Sequence, residues 1–554
     1  MAPINYAQGT KSWSGLAYSD QQQVVKDPTH FLPVKSLQMT PDKKWNKADV
    51  MTGSTSEPDG FRRPGALSAK GKVDSEFFPE GIVPMLIAGM FGAPVSTQVG
   101  RMVIKVLITS DSGAATITLQ VNSETEITLD TTGSIANDTS TLLGLVNSAR
   151  PTVVSAAYVD ANNHALGINI TGHVPFVLTL GSTEGEEADQ SLVNLSSAHT
   201  HVFKHGDIVP VYGPNLLAEG FSIVEVMDKD NGDQFNYCGV YVDGLSLDFS
   251  KDEPLKVSVS LTGNEGNHGI GKSATSISNG SLSFPIVISG GDKLTIAANG
   301  GTAVDVLLTA GSYTVIQLVA MINGLLVDTA ALLNDVIDKR PLLACAWDLD
   351  NGNFIFYTDK KGSGTSLHIT NGPSTMAMTT PIETAGSDTP SSPTFPLAAN
   401  TTHRLQPFIG TGATVKINSL RIPAEKLKID FKNNFKKDNY LGVNFPIQNV
   451  INGRFEITGT IDIKVTAANR AYWDDFLNDT AAALEIDIET GIAIDPGYNY
   501  SGKILLPLIK LTKNNKPKAA LPGVVTQTLA FQAYLDTDTS KDCEIDITNS
   551  QATI

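Results

Sequence analysis

The stretch G-R-F-E-I-T-G-T-I-D, Gly453 to Asp462, reads as a strand with one dry face. Phe455, Ile457, Ile461, Ile463 and Val465 alternate with Arg454, Glu456, Thr458, Thr460, Asp462 and Lys464, the period of two of a half-buried strand. An earlier stretch, G-A-L-S-A-K-G-K-V-D from Gly65 to Asp74, shares the pattern Gly-x5-Gly-x-[VI]-D, with Leu67 and Val73 on the apolar side. A short helix follows each copy: P-E-G-I-V-P-M-L-I-A-G-M-F-G up to Gly92, and T-A-A-N-R-A-Y-W-D-D-F-L-N up to Asn478. Asn236-Tyr-Cys-Gly239 matches Asn499-Tyr-Ser-Gly502, and Ser36-Leu37 matches Ser419-Leu420. Two copies of one antiparallel β domain, each with one helix, are expected.

A second repeat is nested in the first. T-L-L-G-L-V-N, Thr141 to Asn147, matches Q-L-V-A-M-I-N, Gln317 to Asn323, and both helical segments end in Asn. Alternating strands precede each, and Arg150-Pro151 or Arg340-Pro341 with two more strands follows, giving the order β-β-α-β-β. The cores should form around Leu142, Leu145 and Val146, or Leu318, Met321 and Ile322. Insertions of this size survive at exposed loops, because loop closure costs grow slowly with length. The expected division is an extended arm (1–34), a first β domain (35–100 and 201–265) interrupted by one module (101–200), a linker (266–282), a second module ending in a Pro/Ser-rich connection (283–400), and a second β domain (401–554). The fold class is mainly β.

Composition limits the chemistry. The chain has 554 residues, 41% of them hydrophobic, and a formal charge of -17, which argues against sequence-wide affinity for nucleic acid. Cys238, Cys345 and Cys543 lack metal or disulfide spacing, so they read as reduced structural thiols. The N-terminal residues lack the pattern of a signal peptide, and no run of about 18 apolar residues occurs.

G-N-H-G-I-G-K-S, Gly266 to Ser273, satisfies G-x-x-x-x-G-K-[ST]. A phosphate-binding loop needs a helix to present Lys272 and Ser273, whereas A-T-S-I-S-N-G-S-L-S follows. Asp348, at the end of an apolar strand, could be the magnesium carboxylate of such a site. Aligning the two Arg-Pro pairs puts the non-acidic Tyr158 opposite it. His199, His201 and His205 lack further ligands at metal spacing, and Asp474-Asp475 beside Trp473 diverge by about 100° on a helix, so they read as a solvated face. No catalytic residue, cofactor or metal is expected.

Three stretches carry a family resemblance: G-F-R-R-P-G-A-L-S-A-K-G-K-V-D, F-N-Y-C-G-V-Y-V-D-G-L-S-L-D-F-S-K-D-E-P-L-K-V-S-V-S-L-T-G, and L-R-I-P-A-E-K-L-K-I-D-F-K-N-N with G-R-F-E-I-T-G-T-I-D-I-K-V. They resemble the tail tube proteins of long-tailed bacteriophages, in particular those with two tube domains in one chain. The modules similarly resemble small insertions on flagellar filament and phage surface proteins. The resemblance implies a non-enzymatic virion protein, assembled in the host cytoplasm, that polymerises with itself into stacked rings and meets other tail proteins. DNA would be a partner only in transit, and no membrane is involved. Two domains per chain imply three chains per pseudo-sixfold ring. Loops carrying Lys43, Lys44, Arg62 and Arg63 (Asp42 to Pro64), and Lys432, Lys436 and Lys437, would contact the adjacent ring. Lys70, Lys72, Asp74, Glu76, Glu456, Thr458, Thr460, Asp462 and Lys464 would face the channel, which suits an acidic chain that must not hold DNA. A β-rich surface adhesin, or another phage tail or baseplate structural protein, is the alternative reading, although an adhesin should carry an export signal and avoid free thiols. A nucleotide-hydrolysing enzyme is a distant third.

Overall fold

In a computed structural model, residues 13–552 are described except for 20–23, 32–33, 48–61, 100–101, 110–115, 123–125, 131, 133, 150–153, 173–175, 183–187, 196–197, 207–219, 227–233, 269–271, 280–281, 283–284, 336–339, 349–350, 389–405, 438–449, 452–453, 467–471, 496–497 and 515–524. The fold is mainly β. Contacts divide it into one unit of Met1–Pro94, Phe203–Asp487 and Ile504–Glu544, and another of Val95–Val202, Ile488–Lys503 and Ile545–Ile554.

Nine strands frame the first unit: β1 (Val34–Lys47), β2 (Arg62–Glu76), β3 (Phe221–Val226), β4 (Gln234–Ser250), β5 (Lys256–His268), β6 (Ala424–Lys432), β7 (Glu456–Lys464), β8 (Tyr498–Asn514) and β9 (Thr526–Ala533). Antiparallel pairing runs β1-β2-β5-β4-β6-β7-β9-β8. The first four strands and the last four have the same order, and two of their irregularities coincide. The register slips between Val34 and Ser36 where β1 meets β2, and between Ala424 and Lys426 where β6 meets β7. It slips again between Val242 and Gly244 in β4, and between Leu511 and Lys513 in β8. A bulge bends a strand and fixes its register, so two bulges at matching places put the residues near them in like positions in the two halves.

In this register the two glycines of the Gly-x5-Gly pattern hold like places, whereas its flanks do not. Gly71 pairs with Leu261, and Gly459 with Phe531. Ser36-Leu37, however, falls opposite Lys426-Leu427, and Gly244, five residues after Gly239, falls opposite Lys513, eleven residues after Gly502. The Ser-Leu and Asn-Tyr-x-Gly matches are therefore not equivalent positions.

The glycines recur because a side chain does not fit. A Cβ on Gly459 would lie 2.3 Å from Phe531 Cζ and 2.5 Å from the Lys428 carbonyl oxygen, and one on Gly71 would lie 2.0 Å from Met39 Sδ and 2.8 Å from the Gln38 carbonyl oxygen. The carbonyls belong to equivalent residues and cannot turn aside without breaking the ladder. Gly459→Ala is expected to cost about 1–3 kcal/mol, the range for overpacking; a urea midpoint equal to that of the wild type would show that Phe531 gives way freely.

One sheet face is apolar: Val73, Leu245, Leu247, Phe249, Val259, Ile429, Phe431, Ile457 and Ile461 are buried. Helix α1 (Ile82–Phe91) is buried almost all round, as a helix without a polar stripe must be. Its Phe91 meets Phe431 and Phe455 edge-on at 5.3 and 5.8 Å.

The N-terminal residues are not a free arm where they are described. Trp13–Tyr18 pairs with β3, and Val24 packs with Ala344, Ala346 and Tyr357 of the second module. The expected linker is also shorter than 266–282. β5 continues to His268, and Ser273–Ile277 is a strand paired with Asn353–Lys361 and Ile382–Thr384. Its interior positions are Ser273, Ala274 and Ser276, and small polar residues give no apolar alternation to read.

Each module has more strands than the expected four. Among the described residues the one in the second unit has seven, arranged as four-stranded and three-stranded sheets with helix α2 (Ile135–Ala149), over a core containing Leu142 and Val146 with Leu145 at its margin. The other, with helix α3 (Val315–Asp328), has Leu318 and Ile322 in its core and Met321 at the margin. The shared Asn acquires a reason. Asn323 donates to the Cys345 carbonyl at 3.0 Å and accepts from its N–H at 2.8 Å. Asn147 does the same to Ala156 at 3.0 and 2.7 Å. Aligned on this clamp, Asp348 lies opposite Val159 instead of Tyr158, and the equivalent is still not acidic.

Candidate assembly interface

The seam between the halves is the pairing of β4 with β6. Leu245, Leu247 and Phe249 face Phe431, Ile429 and Leu427 across it, and all six are buried. On the other face Ser246, Asp248 and Ser250 oppose Asp430, Lys428 and Lys426, so unlike charges meet at Asp248 and Lys428. The seam thus has a continuous apolar underside and a polar upper side. Two four-stranded halves become one sheet without an exposed edge between them.

The expected channel residues share this upper side. Lys70, Lys72 and Thr460 are exposed; Asp74, Glu76, Glu456, Thr458, Asp462 and Lys464 are half-buried. Their strands place them with Lys256, Asp248, Lys426, Lys428, Asp430, Lys432, Lys510 and Lys513. These positions hold nine lysines and six carboxylates, and Glu253, Glu425 and Asp479 pair with Lys256, Lys464 and Lys510, so the face is mixed in charge. Lys72 and Lys428 bond Asp74 and Asp430, each at 2.9 Å. The chain's negative charge lies elsewhere. Residues 101–200 hold three basic and ten acidic residues, and 283–400 five and ten, so the modules account for -12 of the -17.

The basic positions expected in loops lie on strands. Lys43 and Lys44 fall within β1, and Arg62 and Arg63 within β2, where Asn46 pairs with Arg63 and Lys47 with Arg62. Lys432 ends β6, while Lys436–Lys437 pairs with Val450–Ile451. Both groups occupy hairpins that extend equivalent strand pairs, β1/β2 and β6/β7; segments 48–61 and 438–449 of those hairpins lie outside the described residues.

The remaining candidates have structural roles. Lys272 is bridged to Ser387, and Ser273 opens a strand with its N–H 3.2 Å from Asp27 Oδ2, a carboxylate where a phosphate would need donors. Asp348 bonds the Asn351 N–H and side-chain amide in a turn. Asp474 and Asp475 stand in the first turn of α4 (Tyr472–Leu477). Among the described residues no group of three or more His, Cys, Asp or Glu could hold a metal, and no helix is long and apolar enough to cross a membrane. His205 Nδ1 bonds Asp542 and its ring stacks 3.8 Å from that of Phe455.

His201, in the second unit, is fully buried. Its Nε2 faces two acceptors, Asn549 Oδ1 at 3.0 Å and the Gln551 carbonyl at 2.9 Å, and Ser96 Oγ lies 2.7 Å from Nδ1. We assign the neutral tautomer with hydrogen on Nε2, Ser96 donating to Nδ1. Burial holds its pKa below the usual histidine value, the bonds to Asn549 and Gln551 oppose this, and His199 adds to the lowering. The unfolded chain therefore binds the proton more readily. The stabilisation is complete above about pH 6.5 and is lost as pH falls towards the folded value, by at most about 1.4 kcal/mol per unit. His201→Gln should flatten thermal stability between about pH 7 and 5; an unchanged slope would clear His201 of this role.

Residues 280–533 match the model of the family described as Phage tail tube protein. Over these residues the chain is similar to phage tail tube proteins. The match spans most of the second module and continues through β6, β7, β8 and β9, and it supports a structural role in a phage tail. No curated protein matches the chain.

Proposed function

We propose that the chain joins copies of itself into rings of three that stack into a tail tube, the polar sheet face lining a channel through which DNA passes. The observation that carries this reading is the β4–β6 seam. It joins two halves of like strand order edge to edge, through Gly244–Ser250 of β4 and Lys426–Lys432 of β6. Among the described residues β1 has one partner strand, β2, whereas its equivalent β6 is paired on both sides. A repeat of the seam between chains would give each β1 a second neighbour. Closure removes the edges that would otherwise recruit further strands.

Three eight-stranded sheets closed in this way form a barrel about 45–50 Å across at the backbone, taking the usual strand spacing and tilt. That is wider than barrels of 16–18 strands, which already leave an aqueous channel. A lining of paired lysines and carboxylates with hydroxyls offers DNA few unpaired cations, which limits salt-dependent affinity. The acidic modules then stand outside the wall, and the basic hairpins reach towards the neighbouring ring or other tail proteins. Image reconstruction of assembled protein should show three chains and six four-stranded repeats per ring. Six chains per ring, or a bore lined by the Phe455 and Ile457 face, would refute it.

A further inference from the structure

The edge of β1 that this reading needs is already occupied at one point. In an antiparallel ladder alternate residues turn both main-chain groups away from the paired strand, and Met39 does so. Its N–H donates to Glu225 Oε1 at 3.1 Å, and its carbonyl accepts from the Tyr237 hydroxyl at 3.2 Å. Glu225 comes from β3 and Tyr237 from β4, and both are buried. The equivalent position in β6 is Ile429, where β4 lies alongside and Leu247 is the partner. One register position thus has two kinds of cover: a neighbouring strand in the second half, and two side chains in the first.

We propose that Glu225 and Tyr237 form a latch on the β1 edge of the free chain, released when a strand of a second copy adds there. The inference rests on the ring reading and gives it a control step. A bare edge would pair with any available strand. Two side chains satisfy the same donor and acceptor without offering a ladder to extend. The latch is also held at a cost, since burial pushes the Glu225 carboxyl up to about 7, with the Met39 N–H partly opposing it. An arriving strand meets both Met39 groups and frees the carboxylate for water.

The test compares wild type, Glu225→Leu and Tyr237→Phe, the latter conservative enough to keep the fold. Light scattering and electron microscopy would give the lag and the lowest concentration at which rings or tubes appear. Hydrogen exchange would follow the Met39 amide. Each variant should assemble with a shorter lag and at roughly tenfold lower concentration, the factor carried by one net hydrogen bond of this strength. Met39 exchange should be faster in unassembled Glu225→Leu than in wild type, and equally slow once both have assembled. Tubes that form with unchanged lag and concentration would overturn the latch and leave the ring reading standing. Failure of all three proteins to form rings, with Met39 still protected by Glu225, would overturn the ring reading and the latch with it.

Discussion

A chain carrying both Asp42→Cys and Lys513→Cys is expected to oxidise into a covalently closed trimer. The pair follows from the bulges. Gly244 is the first residue after the slip in β4, and it pairs with Lys432, six residues beyond the slip at Lys426 in β6. Lys513 holds the first of these places in β8, and Asp42, six residues beyond Ser36, holds the second in β1. If the seam repeats between chains, Lys513 of one lies opposite Asp42 of the next. Facing residues have Cα atoms about 4.5–5.5 Å apart, within the range a disulfide spans. The native Cys238, Cys345 and Cys543 are buried and should not compete. On a non-reducing gel the double variant should move almost entirely to a trimer band, while either single variant stays a monomer. Pro41→Cys with Lys513→Cys should not link, because a one-residue shift turns the side chain to the other face. Linkage of the shifted pair, or an open ladder of oligomers, would show that the seam does not repeat in this register.

Asn323→Ala is expected to destabilise the second module by about 2–4 kcal/mol. The substitution removes both partners of Cys345, and buried main-chain groups left unpaired cost about 1–3 kcal/mol each, with partial relaxation reducing the sum. Asn147→Ala removes the same pair of bonds from Ala156 at an exposed site, where water replaces them, so the cost there should stay under about 1 kcal/mol. Hydrogen exchange of Leu343–Asp348 and of Val154–Tyr158 would report the two modules separately. Equal losses at the two sites would mean that burial does not set the value of the clamp.

The sequence by itself determined the faces of the strands and the small local devices. Alternation from Glu456 to Lys464 is visible because burying one side of a strand imposes a period of two. Gly71 and Gly459 are visible because a neighbouring carbonyl excludes any Cβ. The paired Asn residues were legible as a repeat, although not as clamps. The helices, the modules and the lack of a helix directly after Ser273 were legible for the same reason, since each depends on residues close in the chain.

Tertiary structure alone decided which strands are neighbours. β4 and β6 meet across an intervening module, through main-chain groups that every residue type shares, so no side-chain pattern names the partner. The bulges that show where the halves truly correspond are likewise a property of two strands together. The full charge of the sheet face appears only when eight strands are set side by side; the residues expected on it were already mixed in sign, and the modules hold most of the chain's acidity. Glu225 gave no signal at all, because its partner is the main chain of Met39, and a backbone N–H looks the same in every sequence.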